Sequence, residues 1–329
     1  MSISILISIQ QPVAAWTIPA AQVERLRDTF PDMTFTNALD ERTFRTGLPQ
    51  ADVAFTWIMG ADMVAQAPKL RWVHSSAVAV GTLPLRELAA RGIAVTNSRG
   101  IQSAAIAEHV IASLLALSRR LPLTIRAQDA RVWAQNEMIG ERSPWLVQDQ
   151  RMGIVGLGTI GRAVAVRASA LGMDIVGVRR RLEQGSVDGV REVVGPSQVR
   201  DVIASSDVLV LAAPWTAETN CLLDAQAIAR MKPGAVVINV ARGQLVDEAA
   251  LASALARGHL AGAALDVFTE EPLPEGSPFW SLPNVIVTPH TSGFRADHWD
   301  AVIDLFEEQL RRFLDGLPLL NRVDCEAGY

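Results

Sequence analysis

Strand-like and helix-like segments alternate along most of this 329-residue chain, and that alternation limits the possible folds more than any other feature. The clearest stretch runs from an apolar strand at Met152–Val155 through a helix at Thr159–Leu171 to a second strand at Asp174–Val178. Continuous apolar runs of this kind indicate strands that are covered on both faces. Because strands that alternate with helices are typical of parallel sheets, the pattern predicts an α/β fold with doubly wound parallel sheets.

The same alternation extends over both flanks of this stretch, and the length corresponds to roughly two domains. Four strands are predicted in the first hundred residues: Ile3–Ile9, Val53–Trp57, Trp72–Ser75 and Ile93–Thr96. Four more are predicted later in the chain: Val208–Ala212, Ala235–Val240, Ala261–Asp266 and Val285–Thr288. Helices are predicted at Ala20–Phe30, Ser103–Arg120, Asp224–Met231, Asp247–Arg257 and Ala296–Leu314.

The composition is that of a packed protein and argues against several classes of function. Hydrophobic residues make up 49% of the chain and charged residues 20%, which excludes a disordered chain. A formal net charge of −5 gives no indication of a nucleic-acid or membrane partner. With two cysteines, Cys221 and Cys325, and no Cys/His ligand spacing, we expect a protein of the reducing cytoplasm that binds no metal. No segment offers the roughly 20 apolar residues needed to cross a bilayer, and the uncharged start lacks the basic residues of a signal peptide.

A glycine-rich turn follows the strand Met152–Val155 and opens the next helix. Its residues are Gly156, Leu157, Gly158, Thr159, Ile160 and Gly161, which fit the dinucleotide-binding fingerprint in the required strand–turn–helix context. The first glycine allows the tight turn, the second lets the backbone approach a pyrophosphate, and the third allows close packing of helix and strand. The alternative is a glycine-rich turn in an α/β domain that binds no nucleotide.

The end of the following strand bears on the choice of dinucleotide. An NAD site places an acidic residue about 20 positions beyond the glycines, whereas this chain has Arg179, Arg180 and Arg181 there and no carboxylate before Glu183. Guanidinium groups bind phosphate with two parallel hydrogen bonds, so the arginines favour the 2′-phosphate of NADP(H). NADP(H) is therefore the preferred cofactor and NAD(H) a possible one; a solvated basic loop is the alternative interpretation.

Three further motifs each follow a predicted strand. They are Asn239–Gly243 (Asn-Val-Ala-Arg-Gly), Asp266–Pro272 (Asp-Val-Phe-Thr-Glu-Glu-Pro) and Thr288–Gly293 (Thr-Pro-His-Thr-Ser-Gly). In an open α/β sheet, groups just beyond the carboxyl ends of the strands line the ligand crevice. All three motifs are therefore expected at the nicotinamide side of a cofactor site.

The motifs contain the side chains that reduction of a ketone requires. Hydride transfer leaves charge on the carbonyl oxygen, so the site needs a proton donor and a stabilising cation. His290 is the predicted donor, Glu271 is a carboxylate that favours its protonated form, and Arg242 is a guanidinium that could bind a substrate carboxylate. Each of the three could instead be structural. The competing histidines are His74, His109, His259 and His298.

These motifs, with the run from Gly153 to Gly161 and the segment Met231–Ala235, resemble the D-isomer-specific 2-hydroxyacid dehydrogenase family over essentially the whole chain. The resemblance is to enzymes of the glyoxylate and hydroxypyruvate reductase type. It implies that Arg242 binds and polarises a 2-oxo acid, that His290 is the acid/base with Glu271 as its partner, and that Asp266 contacts the carboxamide side of the nicotinamide.

The resemblance also implies a domain arrangement that periodicity leaves open. Residues 1–100 and 293–329 would form a flavodoxin-like substrate-binding domain, and residues 101–292 a Rossmann dinucleotide-binding domain inserted in it. The helix Ser103–Arg120 would contribute to a two-fold homodimer interface. Its alternative is a buried core helix, and the two interpretations are compatible. Further residues predicted to contact the cofactor are Ala213, Pro214, Val240, Ala241 and Gly293.

One segment departs from the pattern of this family. Members of the family have a glycine-rich substrate loop, often Gly-Ala-Gly-Val-Asp. The matching stretch of this chain is Ala77–Gly81 (Ala-Val-Ala-Val-Gly). Ala79 and Val80 are predicted to donate backbone N–H groups to the substrate, although alanine limits positive φ. Trp57 could form a pocket wall or belong to the core.

The resulting hypothesis is an oxidoreductase that uses NADP(H) to interconvert a small 2-oxo acid and its D-2-hydroxy acid. The alternative is a dinucleotide-sensing regulatory protein of the corepressor type, because a fold does not determine a function.

Overall fold

A computed structural model describes residues 3–11, 13–139 and 143–328 of the chain. Its backbone contacts divide the chain into two compact units. The first, here called the discontinuous unit, comprises Met1–Ile101 and Arg295–Tyr329. The second, here called the central unit, comprises Gln102–Phe294 and is therefore inserted in the first. Which unit binds substrate stays a prediction.

The discontinuous unit contains a five-stranded sheet in which every paired strand is parallel. Its strands are β1 (Ser4–Ser8), β2 (Thr34–Asn37), β3 (Val53–Thr56), β4 (Trp72–Ser75) and β5 (Ala94–Asn97). The order β2-β1-β3-β4-β5 is that of flavodoxin-like folds. The helices between the strands are α1 (Ala20–Thr29), α2 (Glu41–Gly47), α3 (Ala61–Ala65) and α4 (Leu85–Ala90).

The central unit contains a seven-stranded parallel sheet. Its strands are β6 (Arg151–Val155), β7 (Asp174–Val178), β8 (Glu192–Val194), β9 (Val208–Leu211), β10 (Val236–Asn239), β11 (Gly262–Leu265) and β12 (Val285–Val287). Its helices are α5 (Ser103–Ser118), α6 (Leu121–Asp129), α7 (Gln135–Met138), α8 (Thr159–Ala170), α9 (Val199–Ser205), α10 (Ala225–Arg230) and α11 (Glu248–Ala256). The order β12-β11-β10-β9-β6-β7-β8 reverses direction between β6 and β9, which is where dinucleotides bind in Rossmann folds. The predicted fold class is confirmed.

Two of these strands were not predicted from the sequence, and both lie at sheet edges. β2 is the first strand in its sheet and β8 the last in the other. Each is short and contains exposed polar residues, such as Thr34 in β2 and Glu192 in β8. An edge strand has one paired side and solvent on the other, so it does not need the continuous apolar run that marks the central strands.

The helix α5 is a core helix of the central unit. Eight of its residues are buried, among them Ile106, Val110 and Leu114. Their cluster also contains apolar residues of the strands and of α8. The large apolar side chains of this helix therefore serve the core of its own unit.

The last helix, α12 (His298–Leu314), belongs to the discontinuous unit. Its residue Phe306 is fully buried and stacks on Phe55 of β3 with ring centroids 4.0 Å apart. This contact ties the end of the chain to the sheet of its first hundred residues. None of the described helices combines the length and apolarity needed to cross a membrane.

Candidate functional site

The glycine-rich turn lies between β6 and α8, at the point where the order of the central sheet reverses. Gly156 has φ 102°, and a Cβ there would lie 2.6 Å from the backbone nitrogen of Ala213 in the loop after β9. A Cβ at Gly161 would lie 2.0 Å from the carbonyl oxygen of Gly156. Any other residue at either position would push the turn, the helix and the neighbouring loop apart.

The middle glycine has a different environment, because an added Cβ at Gly158 would meet no heavy atom within 4 Å. Gly158 is the N-cap residue of α8 and provides no side-chain cap, and the first helical turn contains no acidic residue. Thr159 is exposed and Ile160 half-buried beside this open space. A helix N-terminus with open N–H groups and no competing carboxylate suits an anion, so the turn fits a dinucleotide pyrophosphate.

The arginines after β7 have different environments. Arg179 is only 8% exposed, and its Nη2 donates hydrogen bonds to the carbonyl oxygens of Leu182 (3.3 Å) and Gly185. Its Nε and Nη1 are buried and have no hydrogen-bond partner among the described residues. Buried donors without an acceptor are costly, and a phosphate oxygen is an acceptor that would satisfy them.

Arg180 and Arg181 are exposed, in contrast to Arg179. The Arg180 Nη2 lies 3.9 Å from Oε2 of Glu218, in the loop that follows β9. The same Glu218 oxygen accepts a hydrogen bond of 2.7 Å from the Thr216 hydroxyl. This hydrogen bond and the charge of Arg180 lower the pKa of Glu218, so that the carboxylate is ionised at neutral pH. Glu218 was not singled out from the sequence, since an acidic residue in a surface loop has no distinguishing pattern.

The loop after β10 presents Arg242. Asn239 braces this loop: its Nδ2 donates to the Arg242 carbonyl oxygen at 2.9 Å, and its Oδ1 accepts from the Ala241 N–H at 3.0 Å. The Arg242 guanidinium is half-buried and donates from Nη1 to the Ala241 carbonyl oxygen at 2.6 Å. Burial lowers the pKa of Arg242, and the nearby charge of Glu271 opposes that shift. The predicted cofactor contacts Val240 and Ala241 are both buried in this segment.

The Arg242 loop packs directly on the loop that follows β11. A Cβ at Gly243 would lie 2.0 Å from the carbonyl carbon of Phe268 and 2.1 Å from the backbone nitrogen of Thr269. Only glycine allows this approach, and it places Arg242 beside the segment that contains Glu271. Gly243 thus has a structural role in the site that its motif alone does not explain.

His290 and Glu271 form a direct pair. The distance from His290 Nδ1 to Glu271 Oε2 is 2.7 Å, and the other carboxylate oxygen of Glu271 accepts from the Phe268 N–H at 2.9 Å. Glu271 is held in turn by its own loop, and the bond to Pro272 is cis. With Nδ1 engaged by the carboxylate, Nε2 of His290 is the nitrogen that can exchange a proton with a substrate.

The loop that contains His290 is held by Asp266, which is 1% exposed. The Asp266 carboxylate accepts hydrogen bonds from the Thr288 hydroxyl (2.6 Å), the Thr291 N–H (2.9 Å) and the Ser292 N–H (3.0 Å). Its carbonyl oxygen accepts from the His290 N–H at 2.9 Å. His290 has φ 55°, a left-handed conformation that these bonds hold in place. A contact of Asp266 with nicotinamide stays a prediction; the structure shows it shaping the histidine loop.

Two other predicted cofactor contacts lie at the ends of these loops. The Pro214 carbonyl oxygen, after β9, accepts a hydrogen bond of 2.8 Å from the Thr219 hydroxyl. A Cβ at Gly293 would lie 3.1 Å from the side chain of Gln102. Both residues follow a strand of the central sheet at its carboxyl end, as the motifs predict.

The predicted substrate loop belongs to the discontinuous unit. The Asn97 amide donates to the Val78 carbonyl oxygen at 2.7 Å, and Val80 is 2% exposed while Ala79 is exposed. None of the residues from 77 to 81 has a positive φ, so alanine is compatible with the backbone there. Trp57 is half-buried and packs on the core of this unit.

The described part of the chain contains no group of three or more His, Cys, Asp or Glu side chains that could hold a metal ion. Both cysteines are free thiols.

Among the competing histidines, His74 is fully buried in the discontinuous unit, and burial lowers its pKa to about 3. It is therefore neutral and inaccessible.

Comparison with protein-family models decides the family. Residues 111–292, more than half of the chain, match the model described as "D-isomer specific 2-hydroxyacid dehydrogenase, NAD binding domain". This chain belongs to the D-isomer specific 2-hydroxyacid dehydrogenase family. The resemblance predicted from the sequence motifs is confirmed.

Relatives of known function and structure agree with this family. The chain is 34% identical over 274 residues to the glyoxylate reductase of Korarchaeum cryptofilum. The aligned region covers 81% of this chain and 80% of that relative. It is 32% identical over 292 residues to the D-3-phosphoglycerate dehydrogenase of Mycobacterium bovis. Here the aligned region covers 88% of this chain and 54% of the relative. The chain thus spans about half the length of the phosphoglycerate dehydrogenases that it matches.

A solved structure shows the same fold over the full length. The D-isomer specific 2-hydroxyacid dehydrogenase of Xanthobacter autotrophicus Py2, in complex with NADPH and MES, has a TM-score of 0.85 and 31% sequence identity. The match covers 100% of both chains. The two-domain architecture of the 2-hydroxyacid dehydrogenases therefore extends over the whole of this chain.

Proposed function

We propose that this 2-hydroxyacid dehydrogenase reduces a small 2-oxo acid to the D-2-hydroxy acid, or catalyses the reverse reaction, with NADP(H). The observation that carries the proposal is the pair of His290 Nδ1 and Glu271 Oε2 at 2.7 Å. This pair lies after β11 and β12, and Arg242 follows β10, so all three belong to the edge of the sheet where the glycine-rich turn begins. An acid, its carboxylate partner and a cation beside a dinucleotide cradle suit reduction of a carbonyl group.

When bound, the nicotinamide supplies or accepts the hydride at the 2-carbon of the substrate. His290 holds a proton at Nε2 and gives it to the substrate oxygen as that oxygen gains charge. Glu271 accepts the hydrogen bond from Nδ1–H, which orients the ring so that Nε2 is left for the substrate. In the oxidation direction, the same Nε2 takes the hydroxyl proton.

Arg242 is proposed to bind the substrate carboxylate and to stabilise the charge on the reacting oxygen. Its guanidinium is half-buried and uses one N–H on the Ala241 carbonyl oxygen, which fixes its orientation. Further N–H groups of the guanidinium fork then suit a carboxylate. Ala79 and Val80 are proposed to donate backbone N–H groups to the same substrate carboxylate.

The preference for NADP(H) is supported by the residues that follow β7. The first four residues after β7, Arg179–Leu182, include no carboxylate that could accept from a ribose 2′-hydroxyl, and Arg179 has two buried donors without partners among the described residues. Arg180 adds an exposed guanidinium beside it. A 2′-phosphate satisfies such donors, whereas a neutral hydroxyl leaves the positive charge uncompensated.

We also propose that the protein acts as a homodimer. Large apolar side chains are exposed in the segments 121–139 and 143–146 of the central unit, including Trp133 (89%), Ile139 (67%) and Leu146 (70%). Exposed apolar side chains concentrated in one segment are typical of protein interfaces. The segments 121–139 and 143–146 are therefore proposed to contribute to the contact region. The predicted contribution of α5 stays a prediction, because a core helix with exposed residues can also contact a partner.

The activity is tested by following absorbance of the reduced nicotinamide with a panel of 2-oxo acids, glyoxylate and hydroxypyruvate included, and with both NADPH and NADH. The expected result is turnover of at least one 2-oxo acid, faster with NADPH at low cofactor concentration. The His290→Ala variant is expected to lose at least about a hundredfold in kcat, because the proton donor is removed, while it binds NADPH as tightly as the original protein. Tight dinucleotide binding without turnover of any 2-oxo acid would favour the sensor function instead.

A further inference from the structure

The contact between Arg180 and Glu218 joins the loops on either side of the glycine-rich turn. Arg180 follows β7 and Glu218 lies in the loop after β9, while the sheet order is β9-β6-β7. β6, which leads into Gly156, thus lies between the strands that precede the two side chains. Since neighbouring strands are about 4.8 Å apart, the two loops begin about 10 Å from each other, and the side chains together span that gap.

Glu218 is oriented toward Arg180 by its own loop. The Thr216 hydroxyl donates to Glu218 Oε2 at 2.7 Å, and this is the same oxygen that lies 3.9 Å from Arg180 Nη2. The Thr219 hydroxyl in turn accepts from the Thr216 N–H at 2.8 Å and donates to the Pro214 carbonyl oxygen at 2.8 Å. These bonds hold an ionised carboxylate where the guanidinium after β7 can reach it.

We propose that Glu218 is a specificity-determining residue that occupies Arg180 in the free protein and competes with the 2′-phosphate of NADP(H) for it. This inference rests on the proposed placement of the 2′-phosphate at the arginines after β7. Both side chains are more than half exposed, 55% for Arg180 and 74% for Glu218, so the ion pair is weak and a phosphate can displace it. A carboxylate that stays beside the phosphate also repels it, so Glu218 lowers the affinity for NADP(H) and leaves that for NAD(H) nearly unchanged.

The experiment compares dissociation constants of four ligands for the full chain and its Glu218→Gln variant: NADPH, NADH, 2′,5′-ADP and 5′-AMP. The amide keeps the size of the side chain and its hydrogen bond with Thr216 but removes the charge. We expect NADPH and 2′,5′-ADP to bind about three to ten times more tightly to the variant, and NADH and 5′-AMP to change by less than about twofold. The gain should shrink as the salt concentration rises, because salt screens exposed charges.

Glu275→Gln is the matched control, because it removes one exposed carboxylate of the central unit that is not in either loop. Equal affinities of the Glu218 and Glu275 variants for 2′,5′-ADP would overturn the inference. So would an equal gain for all four ligands, which would indicate a loosened loop rather than relief of a competing charge. If the original protein binds NADH more tightly than NADPH while Glu218→Gln still tightens 2′,5′-ADP, the NADP(H) preference is wrong and the role of Glu218 stands.

Discussion

The site depends on individual residues in ways that their motifs do not reveal. Gly156, Gly161 and Gly243 are required because backbone from another loop or turn lies where a side chain would begin. Asp266 is almost fully buried, and its carboxylate and carbonyl oxygen hold the loop that contains His290. The position of His290, the proposed acid/base, is therefore set by residues that need not touch the substrate.

The hydrogen bond between Glu271 and His290 leads to a prediction for catalysis. Glu271→Gln replaces the charged acceptor of the His290 Nδ1–H with a neutral amide, so the hydrogen bond that orients the ring is weakened. We expect kcat for reduction to fall by about tenfold or more while the affinity for NADPH stays unchanged, because the substitution acts on the proposed proton donor and not on the glycine-rich turn. Glu270→Gln is the matched control, since it changes the adjacent exposed carboxylate. Equal kcat values for the Glu271→Gln and Glu270→Gln variants would contradict the proposed pairing.

At the scale of elements, β4 and β5 are joined by a buried chain of hydrogen bonds around His74. Trp72 Nε1 donates to the Thr96 hydroxyl oxygen at 2.8 Å. The same hydroxyl in turn donates to His74 Nδ1 at 2.7 Å. His74 Nε2 then donates to the Ser98 hydroxyl at 3.3 Å, which donates to the Ser75 carbonyl oxygen at 2.9 Å. Every donor and acceptor in this series of hydrogen bonds has a partner only if the imidazole is neutral.

This arrangement predicts how acid affects stability. Burial lowers the pKa of His74 from 6.5 to about 3 in the folded protein, so between these values the unfolded chain binds a proton that the folded chain does not. The contribution of neutral His74 to the free energy of unfolding is therefore fully present above pH 6.5 and is lost as the pH falls toward 3. Between pH 7 and pH 5 this costs about 2 kcal/mol of the free energy of unfolding.

Urea denaturation at pH 7 and pH 5 tests this prediction. His74→Gln is expected to be less stable than the original protein at pH 7 but to lose about 2 kcal/mol less on going to pH 5. His259→Gln, at a half-buried histidine of the central unit, is the control and should follow the original protein. Equal losses for His74→Gln and the original protein would show that His74 is not the source of the acid sensitivity.

At the scale of the whole molecule, the chain forms one unit from its two ends and one from its middle. All the residues proposed to act on the proton and the cofactor lie in the central unit, after the carboxyl ends of its strands. The exposed apolar side chains of the proposed dimer contact, in the segments 121–139 and 143–146, belong to the same unit.

The proposed assembly predicts a change of mass in solution. Trp133→Glu combined with Ile139→Glu places two charges among the exposed apolar side chains, so we expect the dimer to dissociate in light scattering after size exclusion. Leu39→Glu, at an exposed leucine of the discontinuous unit, should leave the mass unchanged. A monomeric original protein, or a dimer unaffected by the double substitution, would contradict the proposal.

The sequence by itself determined the fold class, the family and the motifs that contain Arg242, Glu271 and His290. It could do so because buried parallel strands, glycine turns and strand-end motifs are recorded in local residue patterns. The edge strands β2 and β8 lack that signal, since one side of each is solvated.

Only the tertiary structure decided which residues meet across loops. The 2.7 Å pair of His290 and Glu271, the burial of Arg179 beside an exposed Arg180, and the contact of Arg180 with Glu218 all join segments that are close in space because of the strand order or a loop's path. Distances and burial at such junctions depend on the packing of the whole sheet, which no local pattern of residues contains.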